Sequence, residues 1–199
     1  MPRLVLASAS PARRNLLAGA GIAAEVTVSG VEESTVDAPD AVTLCLVLAR
    51  RKAEAVAARL DGADALVLGC DSVLEFDGLA LGKPADAGEA TRRWYAMRGR
   101  SGVLHTGHCL IELGTGKRAE AVASTAVHFA DVTDEEVAAY VGTGEPLAVA
   151  GAFTIDGRSA PFVESIDGDY SNVVGLSLPL LRRLVGELGH RFTDFWRTV

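Results

Sequence analysis

Cysteine is scarce and badly spaced for any scaffold role. Only Cys45, Cys70 and Cys109 occur in 199 residues, an odd number with no metal-ligand spacing. A disulfide framework and a structural zinc site are both excluded, and reduced, buried thiols are expected. Long apolar runs are missing too: nothing approaches the roughly 18 residues that span a bilayer. The opening MPRLVLASAS has too short an apolar stretch for a secretory leader and reads as a strand. Positive charge is in deficit, with 19 Lys and Arg against 26 Asp and Glu and a net charge of −7. A general nucleic-acid binder needs a broad basic surface, so a polymer partner is not expected. Repeats and low-complexity tracts are absent. The four histidines, His105, His108, His128 and His190, show neither i,i+4 nor triad spacing. A cytoplasmic protein with no membrane attachment is the expectation.

What is present is enough apolar sequence, 49% of the chain, to bury a real core. No boundary is strong enough to cut at, so residues 1–199 read as one domain. Strands and helices alternate. Arg3–Ala7 is a short strand, and Ser10 as cap with Pro11 at the first helical position starts a helix to Gly19. Glu25–Val28 is extended, Val31–Asp37 is an acidic segment, and Asp40–Leu60 is the longest helical pattern. Ala65–Gly69 is an apolar strand ending at Cys70-Asp71-Ser72. Ser72–Phe76, the Asp77-Gly78 turn and Leu79–Leu81 then read as a hairpin. Asp86 with Glu89, and Thr133 with Glu136, look like capping boxes for helices to about Met97 and to Val141. Long strands are expected at Val103–Leu113 and Ala119–Phe129, another at Phe162–Ile166, and a closing helix at Leu178–Leu188. Strands outnumber what simple βαβ alternation gives, so the fold class is α/β with a mixed sheet and flanking helices.

Six segments carry residues able to do chemistry. Ser8-Ala9-Ser10-Pro11-Ala12-Arg13-Arg14 joins a strand to a helix. There, free amides, the hydroxyls of Ser8 and Ser10, and Arg13 or Arg14 suit a phosphate. Glu32-Glu33 is an acidic pair, and Arg50-Arg51-Lys52 lies on the long helix. Asp71, read as ending a buried strand, would point into the crevice where α/β proteins bind ligands. Lys83 follows the hairpin as a point charge for a phosphate. Ala150–Gly157 combines small residues with Phe153, which can stack on a base, and Asp156, which can hydrogen-bond one. Gly168–Gly175 runs into the last helix. Each segment alone also reads as ordinary structure: a capped helix, solvated charges, a glycine-rich turn.

Taken in order, LASASPARR, VEE, LARRKA, GCDSV, LGKP, AGAFTIDG and FVESIDGDYSNVVGLSLPLL resemble the Maf family of nucleotide pyrophosphatases over nearly the whole chain. The resemblance implies an elongated mixed sheet with two lobes around a central cleft, as in inosine triphosphate pyrophosphatases. It also implies metal-assisted cleavage of a nucleoside triphosphate between its α- and β-phosphates. Asp71 would activate water or help hold the metal, with Glu33 as its acidic partner. Arg13, Lys52 and Lys83 would grip the triphosphate, helped by Ser8 and the helix amides, and Lys83 would count with Asp71 and Glu33 among the catalytic groups. Oxygen ligands from Glu33 and Asp71 suit Mg²⁺ or Mn²⁺. The expected partner is thus the nucleotide, with a homodimer the one assembly held open.

Three departures from the family pattern stand out. Ala12 replaces a phosphate-binding arginine, Val149 replaces a lysine, and Asp156 replaces a glutamine. The family branch known for dTTP and UTP carries that glutamine, whereas the branch preferring 7-methyl-GTP has an acid, so Asp156 bears on base choice. The roles implied are clearance of non-standard nucleotides and a link to division arrest. The alternative is a non-catalytic nucleotide sensor regulating septum formation through the same cleft.

Overall fold

The computed structural model describes residues 3–60 and 64–196. Its centre is a mixed sheet of seven strands. β1 is Arg3–Leu6 and β2 Glu25–Val26. β3 is Ala65–Phe76, β4 Leu79–Leu81, β5 Ser101–Glu112, β6 Arg118–Phe129 and β7 Val163–Asp167. Their order is β2-β1-β3-β5-β6-β7, with β4 also pairing with β3. β1 runs parallel to β2 and β3, and every other pairing is antiparallel. The helices are α1 (Pro11–Gly19), α2 (Ala41–Ala57), α3 (Ala87–Met97), α4 (Asp134–Gly142), α5 (Tyr170–Val174) and α6 (Leu178–Glu187).

β3 explains the cleft. On one edge it pairs with β5 without a break, from Leu66↔Glu112 to Glu75↔Val103. Its other edge carries two short strands: β1 opposite Ala65–Leu68 and β4 opposite Leu74–Phe76. Between them Gly69–Val73 has no strand partner on that side among the described residues. A sheet edge with its backbone uncovered is a natural opening for a ligand.

The sequence reading broke β3 into two strands at Cys70-Asp71-Ser72, because Asp and Ser are poor strand formers. The structure corrects this: the strand runs through, and Asp71 lies in its middle rather than at its end. Strand alternation supplies the reason. Cys70 turns to the apolar core, Asp71 to the α2 face, where Lys52 meets it, and Ser72 back to the face where Thr106 and Arg13 bond it. Gly168–Gly175, read as loop, contains α5, capped by Asp169. The capping box is complete at Thr133 and Glu136. At Asp86 only half forms, since Glu89 instead accepts from Ala85 N–H and pairs with Arg93.

Two apolar cores sit on one face of the sheet. The first joins Leu4, Leu6, Leu66, Leu68 and Leu110 to α1 and α6. The second surrounds Trp94, whose ring meets Phe129, Tyr140 and Phe162 edge-on at 5.5–5.8 Å. A polar seam divides them: Ser72 and Thr106 share a 2.9 Å bond, Thr106 donates to Asn172 O, and Asn172 Nδ2 donates to Thr125. The two lobes are therefore two cores on a common sheet.

On the opposite face α2 lies unusually close. A Cβ on Gly69 would sit 2.1 Å from Ala49 O, and one on Gly107 2.3 Å from Cys45 O. Both distances are impossible, so glycine at each position is what lets the helix backbone touch the strands. That approach carries Lys52, on the buried face of α2, down to Asp71. All three cysteines are buried and unpaired, and burial pushes each thiol up to about 12.

Candidate active site

A cleft of about 810 Å³ opens at the uncovered edge of β3. Its inner end is made by β3, α2 and the start of α1. Lys52 Nζ lies 2.5 Å from both Asp71 Oδ1 and Glu33 Oε1. Lys52 is 7% exposed and Asp71 6%, so the pair is withdrawn from water while opening onto the cleft. Removing Lys52 would leave the Asp71 carboxyl buried without its ion-pair partner, whereas Lys52 would keep Glu33 if Asp71 were lost.

The environment drives the two acids apart. Burial holds the Asp71 carboxyl above its ordinary range, even against the pull of Lys52 and Arg13. Burial pushes the half-exposed Glu33 the same way, but Lys52, Lys83 and Arg13 together outweigh it, and its carboxyl lies below the usual range. The two carboxyls are thus pushed in opposite directions, as paired acids in acid–base sites often are.

Arg13 lines the cleft, and its fork is largely taken up by its own chain. It is buried, and its guanidinium donates to Gly175 O (2.7 Å), Cys70 O (3.0 Å), Ser8 Oγ (3.3 Å) and Ser72 Oγ (3.0 Å). The bond to Cys70 O satisfies a carbonyl on the uncovered β3 edge. Arg13 thus does the work of the missing strand there and ties α1 to the turn before α6. Gly175 allows it, with φ +121 and room for a Cβ only 3.3 Å from Arg13 Nε. Four of the five guanidinium N–H groups are engaged, so little is left for phosphate. Ser8 lines the cleft and accepts from Ser10 N–H, while Ser10 caps α1 through Arg13 N–H. Arg14 is exposed and does not line the cleft; one residue on from Arg13, it lies about 100° round the helix. Ala12, at the position of a missing arginine, does line it.

At the outer end Lys83 is exposed on the rim and forms no hydrogen bond or ion pair with a described residue. Phe153 lines the cleft but is mostly core, edge-on to Phe129 at 5.1 Å. Ala152 before it holds φ +62, a strained value for a residue with a Cβ, secured by Trp94 Nε1–H donating to its carbonyl at 2.8 Å. Asp156 is exposed at the rim. The structure therefore gathers Ser8, Ser10, Arg13, Glu33, Lys52, Asp71, Lys83, Phe153 and Asp156 around one cleft, and leaves Arg14 outside.

Sequence reasoning missed Ser72 and His108. Ser72 stands inside GCDSV, so the signal was available. His108 has no exposed counterpart: fully buried, pulled down to about 4 by burial, it accepts from Ser177 N–H and donates to Thr106 O. It is a neutral brace for the start of α6.

Among the described residues no three His, Cys, Asp or Glu side chains converge as a metal cage. Glu33 and Asp71 nonetheless hold oxygens against one ammonium, near enough to share one divalent cation. Two carboxylates, with water and phosphate completing the shell, fit Mg²⁺ or Mn²⁺.

Residues 3–188 match the family of Maf-like proteins. A relative from Salinispora tropica, named nucleoside triphosphate pyrophosphatase, is 64% identical over 98% of this chain and 87% of its own length. Relatives of the same name from Streptomyces coelicolor and Microcystis aeruginosa are 62% and 48% identical, over 98% and 97% of this chain and 94% and 98% of theirs. The chain therefore belongs to the Maf-like protein family.

Proposed function

We propose that this protein is a nucleoside triphosphate pyrophosphatase that hydrolyses the nucleotide to a monophosphate and pyrophosphate. The observation that carries the reading is the buried Lys52–Asp71 pair, joined by the half-exposed Glu33, at the inner end of a nucleotide-sized cleft. The names of its relatives support the same reaction.

A triphosphate resists attack because its own charge repels a nucleophile, so positioning and charge stabilisation supply most of the catalysis. Asp71, raised by burial and aligned by Lys52, takes the proton of the attacking water. Lys52 and the Ser8 hydroxyl face the developing phosphate charge, and Lys83 approaches from the rim. Arg13 is assigned to position, not contact: it fixes Ser8, Ser72 and the β3 edge. A divalent cation held by Glu33 and Asp71 would neutralise phosphate charge and make its bound water more acidic. Asp156 is assigned to the base. A carboxylate offers only acceptors, which suit the adjacent ring N–H and amino donors of guanine better than the mixed edge of uracil or thymine. Among the described residues no helix is long and apolar enough to cross a membrane, and the three thiols are unpaired; both support placement in the cytoplasm.

The test is a panel of nucleoside triphosphates, including methylated ones, incubated with Mg²⁺ or Mn²⁺ and separately with excess chelator. Pyrophosphate and monophosphate should appear in equal amounts, and only with metal. Full turnover in chelator would sink the metal-assisted mechanism. Tight binding with no product would establish the sensor reading instead.

A further inference from the structure

The turn Thr154–Ser159, which carries Asp156 to the rim, belongs to no strand or long helix and would be expected to wander. It is held from behind by one side chain. Glu145 opens the short helical turn Glu145–Ala148, outside the cleft. Its Oε1 accepts from Thr154 Oγ1 at 2.6 Å, Arg158 N–H at 3.0 Å and the Tyr140 hydroxyl at 3.2 Å. Thr154 and Arg158 stand either side of Asp156, so a single oxygen ties both ends of the turn. Ser159, fully buried, closes it again, donating to Thr154 O and accepting from Thr154 N–H. The closure is tight: a Cβ on Gly157 would lie 2.4 Å from Thr154 Oγ1 and 2.8 Å from Glu145 Oε1. The third bond leads inward, because Tyr140 packs edge-on against Trp94 at 5.5 Å and Phe162 at 6.0 Å.

We propose that Glu145 is a specificity-positioning residue: it references the Asp156 turn to the aromatic core and thereby sets which nucleotide base the cleft prefers. The proposal rests on the reading of this cleft as a nucleotide site with Asp156 at the base. Its carboxylate is well placed for the task. Burial alone would raise its pKa, but the bonds from Thr154 and Arg158 prevail and hold it below the usual carboxylate range. Glu145 lies outside the cleft lining, so its loss should alter selection between bases and spare the phosphate chemistry at the inner end.

Steady-state kinetics with GTP and UTP, on wild type, Glu145→Ala and Glu145→Gln, tests this. In Glu145→Ala the kcat/KM ratio between the two nucleotides should move toward unity by about tenfold, through KM, with kcat for the better substrate nearly unchanged. Glu145→Gln, whose amide oxygen can accept the same three bonds, should keep the wild-type ratio. Hydrogen exchange should quicken across residues 154–159 in the alanine variant alone. If Glu145→Ala does not fold, Thr154→Val removes the shortest of the three bonds and should give a smaller shift in the same direction. A loosened turn with an unchanged ratio, a uniform loss of kcat, or a wild type indifferent to the base would each overturn the proposal. A wild type that hydrolyses no nucleotide would instead refute the pyrophosphatase reading, and the ratio of binding affinities in the same variants would then decide the role of Glu145.

Discussion

The two ends of the cleft are built in opposite ways. At the inner end, apart from the half-exposed Glu33 on its own short turn, the side chains spring from a strand or a helix: Asp71 from the middle of β3, Lys52 from the buried face of α2, Arg13 from the first turn of α1. Each is buried and held by charge or by several hydrogen bonds. At the outer end Lys83 and Asp156 are exposed and sit on turns, one after a hairpin and one in a loop tied back by Glu145. The inner end has little freedom to move, and the outer end can change residue without disturbing the sheet. On the proposed reading, the chemistry common to all triphosphates falls to the first, reached by Lys83 from the rim, and discrimination between bases to Asp156 at the second.

Three experiments sharpen or break that contrast, the largest effect first. Asp71→Asn should lower kcat by about 10²-fold or more, the usual worth of a general base, with circular dichroism unchanged. Near-normal turnover would show that Asp71 only neutralises Lys52. Next come two glycines. Gly69→Ala drives a methyl into the backbone of α2, which cannot yield, and should cost about 3 kcal/mol, visible as a fall in melting temperature of roughly 6–12 °C. Gly157→Ala meets side chains rather than backbone, those of Thr154 and Glu145, but moving them breaks bonds that hold the turn, so it should cost less than Gly69→Ala, about 1–2 kcal/mol. Equal losses would mean that the outer end is as rigid as the inner. The smallest effect is on selectivity: Asp156→Gln should move kcat/KM toward UTP and dTTP by roughly tenfold, since 1.4 kcal/mol is one decade. An altered melting point with the same substrate ranking would assign Asp156 to the turn alone.

Legibility in the sequence follows the same division. Ser10, Pro11 and Gly19 announced α1, and the long Ala- and Leu-rich pattern announced α2, because caps and helix propensity act locally. The strand through Cys70-Asp71-Ser72 was not legible, since pairing with β5 and neutralisation by Lys52 are long-range effects that outweigh local propensity. Which cations face the cleft was half legible. Lys52 lies in a run of three basic residues, and only the packing of α2 through Gly69 and Gly107 singles it out. The fork of Arg13, read from the sequence as a phosphate grip, makes bonds to carbonyls and hydroxyls of its own chain, which no local pattern announces. Glu145 left no signal, because its worth depends on two residues nine and thirteen positions later folding back onto one oxygen.

The three strands β3, β5 and β6 each run twelve residues without interruption, passing beneath both cores. At about 3.3 Å per residue that makes a common spine of about 40 Å. Proteins that close on a ligand by swinging two bodies together need a flexible crossing between them, where a few backbone dihedrals absorb the rotation. Here the crossing is three continuous strands paired residue by residue, with no loop among them to serve as a joint, so a large swing of one core against the other is not expected. An incoming nucleotide is accordingly expected to be accommodated by side chains at the rim, such as that of Lys83, rather than by a swing of the two cores.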